Sequence, residues 1–201
     1  DRTAAFQADV TRDGEVATMV DAVTVRLGPP TVIVHNALAD YAFNGDARDT
    51  LESLRWDAVE AQTKTAVGGL LALIHAARPL WAEQGFGRLI TIGSNLVQNP
   101  VVPYHDYTAS KGALLALTRT AAAELGPLGV TVNMVSGGPL RTTDASAATP
   151  EAVFDIIAGQ TPRRRVRTPA ERADAVLFFA SPWARAVTGQ NLVVDGGLVF
   201  N

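Results

Sequence analysis

The sequence predicts an α/β protein, a parallel β-sheet with helices packed on both of its faces. Three observations carry this. Residues 31–36, 88–93 and 130–135 are short, nearly continuous apolar runs, as parallel strands buried on both faces require. Longer runs with apolar residues at helical spacing lie between them. Strand and helix patterns alternate along the whole chain without internal repeat, the order that crossover-connected parallel strands produce.

In chain order, residues 4–10 read as a short strand. A helix follows over residues 14–27, with Val16, Met19, Val20 and Val23 on one face, and Gly28-Pro29-Pro30 stops it. After the strand at 31–36, the polar stretch 38–53 predicts an exposed loop. Residues 54–84 then form a long helical pattern through Trp56, Val59, Leu70, Leu71 and Ile74, with Pro79 expected to kink or end it. Strand 88–93, loop 95–106, a helix opening near Tyr107 and strand 130–135 come next. Residues 136–169 read as a long irregular segment with a short helix near 151–158, of the kind that forms lids or binding walls. A helix over 170–180 and a strand over 191–194 close the pattern.

With 201 residues, 47% of them apolar and 18% charged, the chain suits one domain with a single sizeable core. The net charge of −3 gives no footprint for nucleic acid, and no polybasic cluster beside an apolar helix points to a membrane surface. The one charge run, Arg163-Arg164-Arg165 with Arg167, reads first as a solvated loop and second as a contact for an anionic substrate or cofactor phosphate. The absence of cysteine removes disulfides, thiolate catalysis and cysteine-rich zinc sites, and is compatible with a reducing cytoplasm. His35, His75 and His105 lack metal-ligand spacing, so no catalytic metal is expected. The longest uncharged apolar stretch, 65–77, is shorter than the roughly 20 residues a membrane span needs.

The chemistry concentrates at Tyr107-Thr108-Ala109-Ser110-Lys111. These residues open a run of strong helix formers, so residues four apart share a face and the Tyr107 phenol and Lys111 ammonium point the same way. A cation within roughly 4–6 Å favours a phenolate and brings the group nearer the range of neutral proton exchange. Thirteen residues before Tyr107 stands Ser94, where a strand would deliver a hydroxyl to its C-terminal edge, the edge at which open α/β sheets bind ligands. Taken singly, Tyr107 and Lys111 would be a half-buried ring and a solvated amine, and Ser94 a turn serine.

Ser94, Tyr107 and Lys111 at this spacing resemble the catalytic residues of the short-chain dehydrogenase/reductase family, and nearest its 3-oxoacyl-[acyl-carrier-protein] reductase-like branch. Asp9-Val10 is similar to the family's acidic turn beside the adenine, and His35-Asn36-Ala37 to its Asn-Ala-Gly turn. Gly138-Pro139-Leu140-Arg141-Thr142 is similar to its Pro-Gly-x-x-x-Thr segment, and Thr188-Gly189-Gln190 with Val194-Asp195-Gly196-Gly197 to its ending. The resemblance implies a Rossmann-like doubly wound parallel sheet in a three-layer α/β/α arrangement, and NAD(P)-dependent hydride transfer between nicotinamide and a carbonyl or secondary alcohol, with 3-oxoacyl thioester reduction as one form of it. It implies that Tyr107 donates the proton, that Lys111 lowers the phenol pKa and binds the nicotinamide ribose, and that Ser94 polarises the carbonyl. Asp9, Val10, Asn36, Ala37, Gly138, Leu140 and Thr142 would join Tyr107 and Lys111 in holding NADP or NAD. It also implies a homodimer or homotetramer in the cytoplasm, assembled through the long 54–84 helix, the Tyr107 helix and the C-terminal segment.

The chain departs from that pattern at several places. The family's glycine-rich phosphate turn has no equivalent, so a first β-α-β unit of ~30 residues or more is expected upstream. In the implied strand order 3-2-1-4-5-6-7, its absence would leave a gap of roughly 14 Å between the 4–10 and 31–36 strands, and the chain alone would be unstable or rearranged. The choice between NAD and NADP lies with residues after that absent second strand. Ala66, ten residues past Trp56, stands where the family often has an asparagine that holds a water against the lysine; Thr65 or Gln62 would have to substitute, or the relay runs differently. Leu38 stands for a glycine and Gly137 for a proline. These departures leave a second reading open, a catalytically silent relative that serves as a binding or assembly subunit. A cofactor-free dehalogenase on the same fold is disfavoured by lysine at 111. His105-Asp106 reads as a loop histidine and a helix N-cap, and Gln98, Asn99 and Tyr104 as substrate-wall residues.

Overall fold

The computed structural model describes residues 3–39, 41, 43, 48–141 and 143–200. Four parallel strands form one sheet in the order β1-β2-β3-β4: β1 Val32–His35, β2 Gly87–Ile92, β3 Val130–Ser136 and β4 Asn191–Val193. This is the last four-strand portion of the order expected from sequence. Six α-helices accompany it: α1 Asp13–Leu27, α2 Trp56–Thr63, α3 Gly69–Gln84, α4 His105–Leu125, α5 Glu151–Gln160 and α6 Pro169–Ala180.

Period-two alternation in the strands sorts the core onto two faces. Leu89 of β2 and Val130, Val132 and Met134 of β3 point to one side, where they meet Leu70, Ala77 and Trp81 of α3 and Leu114 and Leu125 of α4. Ile90 and Val135 point to the other, against Phe179, Ala175 and Val176 of α6. Each fully buried side chain contributes about 1.5–3 kcal/mol, and this packing fixes where the start of α4 meets the C-terminal edge of the sheet. On the α3 side, α1 adds a further layer through Val16 and Val20 against Ala72 and Leu73.

Three expectations are corrected. Residues 4–9 do not form a strand: they run without regular structure into the turn before α1, since no strand among the described residues lies beside them to accept ladder hydrogen bonds. Pro79 neither ends nor divides its helix. The face of Leu73, Ile74, Ala77 and Trp81 is buried on either side of it, and Trp81 donates Nε1–H to the Pro30 carbonyl at 3.0 Å, so tertiary packing outweighs the roughly 3 kcal/mol helix cost of proline. The long pattern instead breaks at Lys64–Gly68, a π-helical turn joining α2 to α3. Asp106 lies inside the first turn of α4, and the N-cap is Tyr104.

Among the described residues no helix is long and apolar enough to cross a membrane, and no group of three histidine, aspartate or glutamate side chains could hold a metal ion.

Candidate active site

β2 ends by carrying Ser94 to the sheet edge in extended conformation, where its hydroxyl accepts from Leu96 N–H at 3.2 Å and caps the 3-10 turn Asn95–Val97. The helical α4 places Lys111 one turn beyond Tyr107, with the ammonium 5.6 Å from the phenol ring centre. Lys111 Nζ donates to the Ile92 carbonyl at 2.8 Å, which ties the helix to the tip of β2. Ser94, Tyr107 and Lys111 line one cavity of about 630 Å³. Ser94 thus both caps this turn and lines the cavity.

Tyr107 sits in an aromatic cluster, its ring stacked on Tyr41 at 5.0 Å and met edge-on by Phe43 at 5.3 Å. Burial pushes the phenol pKa up, while the nearby Ser94 hydroxyl and the Arg172 charge pull it down. The cation that opposes burial is thus Arg172, where the sequence pointed to Lys111. Lys111 is itself brought down to about 8, by burial first and by the Arg172 charge second.

Of the cofactor residues named from sequence, Asn36, Gly138 and Leu140 line the cavity with Tyr107 and Lys111. Ala37 follows Asn36 without lining it. Asp9 and Val10 stay outside: the Asp9 carboxylate accepts from the backbone and hydroxyl of Thr11 in a turn before α1, and Val10 faces Gly69. Thr142 lies outside the described residues. Asn99 and Tyr104 form part of the wall, but Gln98 does not. Within the arginine run, Arg163, Arg164 and Arg165 are exposed, as a solvated loop would have them, while Arg165 binds both oxygens of Glu171 and Arg167 pairs with the same carboxylate.

Sequence reasoning missed four participants. Arg172 lines the cavity, and its signal was a charge on the stripe Arg172, Ala175, Val176, Phe179 that α6 turns to the core. Asp195 is buried and accepts from Asn95 Nδ2 at 3.0 Å and from the backbone of Gly197, Leu198 and Val199, clamping the chain's last turn to the loop after β2. His35 is buried with Nε2 at 2.8 Å from the Ala66 carbonyl. Phe43, in a stretch read only as exposed loop, reaches the cavity wall.

A nicotinamide cofactor suits this donor set. The Lys111 ammonium has three donors, one of them engaged by Ile92, which leaves protons for ribose hydroxyls. Gly93, Gly137 and Gly138 also line the cavity.

The family model described as enoyl-(acyl carrier protein) reductase matches residues 1–199. The chain belongs to the short-chain dehydrogenase/reductase family. It is an NAD(P)-dependent oxidoreductase that moves hydride between nicotinamide and a carbonyl or secondary alcohol. Among its relatives are an acetoacetyl-CoA reductase of Allochromatium vinosum, 33% identical over 205 residues that cover 98% of this chain and 78% of the relative. A 3-oxoacyl-[acyl-carrier-protein] reductase of Staphylococcus epidermidis is 32% identical over 200 residues, 96% of this chain and 77% of the relative. A blue fluorescent protein from a metagenomic library, solved in complex with NADPH, superimposes with a TM-score of 0.82 at 32% identity, covering 96% of this chain and 75% of that one.

Proposed function

We propose that the chain reduces 3-oxoacyl thioesters, with Tyr107 as the proton donor. The convergence of Ser94, Tyr107 and Lys111 on one cavity carries the assignment of roles. The acetoacetyl-CoA and 3-oxoacyl reductases among the relatives support the substrate class, and the NADPH complex supports NADP as cofactor. Val101, Val102, Leu140, Val153 and Ile157 give the cavity an apolar wall suited to an acyl chain.

A nicotinamide cofactor held beside Lys111 and Asn36 would supply the hydride for the carbonyl carbon. Tyr107 gives its phenolic proton to the carbonyl oxygen, and burial, which keeps the phenol protonated, suits it to act as an acid in this direction. The Ser94 hydroxyl hydrogen-bonds the same oxygen and stabilises the charge that develops on it. Lys111, anchored on Ile92, would hold the ribose, and its ammonium offsets the negative charge left on the phenolate after transfer. Asn36, Gly138 and Leu140 belong to the cofactor crevice, and the family resemblance adds contacts from Ala37 and Thr142 and, toward the adenine, from Asp9 and Val10. The protein works as a cytoplasmic homodimer or homotetramer assembled through α2, α3 and α4.

The test is Tyr107→Phe in the intact enzyme with NADPH and acetoacetyl-CoA. Turnover falls at least about 10²-fold with the fold unchanged. Retention of wild-type turnover removes the phenol from the mechanism.

A further inference from the structure

Gly137 stands where the family segment has proline, and the structure supplies a reason. A Cβ on residue 137 would come 2.2 Å from Arg172 Nη2 and 2.7 Å from the Val194 carbonyl oxygen, so the guanidinium occupies volume that only glycine leaves open. The same nitrogen donates to the Gly138 carbonyl at 2.6 Å, and Arg172 Nε is buried without a hydrogen-bond partner. Arg172 thereby joins the wall that holds Ser94, Tyr107 and Lys111, and no aspartate or glutamate is among the described residues lining that cavity. A second cation enclosed with the first, opposed from behind by the buried Asp195 carboxylate, bears on the protons the site exchanges.

We infer that Arg172 is a positioning residue of the site, admitted by Gly137, whose fixed charge sets the ionisation of the Tyr107 phenol and the Lys111 ammonium together.

The groups around this pair are Ser94 at the end of β2, His35 on β1, which feels the Lys111 charge, Arg172 on α6 with the Asp195 carboxylate acting on it, and Tyr41, Phe43 and Tyr104 from the loops. Arg48 is stacked over Tyr41 and Tyr104, and the Asp106 charge acts on Tyr41. Arg172 is the charge that acts on Tyr107 and on Lys111 alike. Lys111 surrenders its proton near pH 8, whereas a guanidinium stays protonated throughout the working range. Above that pH the lysine no longer stabilises phenolate, and Arg172 continues to do so. The alkaline range is where the reverse reaction, alcohol oxidation, needs the phenol as a base.

Lys111 is followed by carbon-13 lysine labelling of the intact enzyme, its signal assigned as the one lost in Lys111→Arg. In the wild type Lys111 titrates near pH 8. In Arg172→Met its titration moves to higher pH, and so does the acid limb of the pH profile for alcohol oxidation. Arg172→Gln, which removes the charge and keeps a polar end near the Gly138 carbonyl, moves both the same way; it decides the matter if Arg172→Met does not fold. Arg172→Lys, which keeps a cation, restores the acid limb. Lys111 titrations that coincide in the wild type, Arg172→Met and Arg172→Gln overturn the proposal. The role of Arg172 rests on Tyr107 being the acid proposed above, but the lysine titration is read without substrate, so the two ideas fail separately.

Discussion

His35 Nε2 lies 2.8 Å from the carbonyl oxygen of Ala66, across the junction between β1 and the π-helical turn Lys64–Gly68. A π-turn disturbs the regular i to i+4 ladder and leaves carbonyls in search of other partners. Here a buried imidazole supplies one, and its seat depends on Gly69, where a Cβ would stand 3.1 Å from His35 Cε1. At residue 66 the side chain is alanine, and the carbonyl is held by histidine from the neighbouring strand.

Replacing His35 by alanine leaves that carbonyl buried and unpaired and opens a void beside Gly69. The fold loses about 2–4 kcal/mol, read as a lower urea midpoint. Burial holds the His35 pKa below 6.5, against the Ala66 hydrogen bond that raises it. The unfolded chain then binds more protons than the folded one between the folded value and 6.5, so stability is full above that pH and declines as pH falls through it. His35→Asn flattens this acid slope; an unchanged slope would mean the imidazole does not stay neutral in the fold.

Lys111 carries a stability cost at neutral pH. A displacement from 10.5 to about 8 in a side chain only 6% exposed corresponds to about 3 kcal/mol. Lys111→Met therefore stabilises the fold at pH 7 by about 1–2 kcal/mol once the lost bond to Ile92 is set against it, and it abolishes turnover. In this case the folded pKa is depressed, so wild-type stability rises with pH between about 8 and 10.5 and the advantage of the variant disappears across that window. Thermal melting at pH 7 and pH 10 measures both.

Ser94→Ala separates two duties. Losing the cap on a three-residue turn costs about 0.5–1 kcal/mol in denaturation, while losing the hydroxyl from the cavity lowers kcat by about 10²-fold with KM changed little. A variant that raises KM at constant kcat would place Ser94 in ground-state binding.

Asp195 satisfies four donors at once. Asp195→Ala strands Asn95 and three backbone amides, and the protein loses at least about 3 kcal/mol, with increased amide exchange at Gly197, Leu198 and Val199. Asp195→Asn, which keeps an acceptor, costs less.

Much of the architecture was legible without coordinates, because hydrophobic period is a local property. The runs at 31–36, 88–93 and 130–135 became β1, β2 and β3 within a residue or two, and the helix from Tyr107 followed from propensity. The misreadings share one cause. Residues 4–10 have strand composition, but a strand exists only beside a partner; Pro79 has helix-breaking chemistry, but the packed face around it decides.

The sequence by itself determined the parallel α/β order and the spacing that gathers Ser94, Tyr107 and Lys111, since side-chain direction on a strand end or a helix follows from local geometry. Tertiary structure alone decided which charge opposes the phenol's burial, which side chain holds the Ala66 carbonyl and where Asp195 spends its lone pairs. Those depend on contacts such as Gly137 with Arg172, His35 with Ala66, and Asn95 with Asp195. Such pairs are brought together only when the sheet and its helices close, and no local pattern encodes the distance between them.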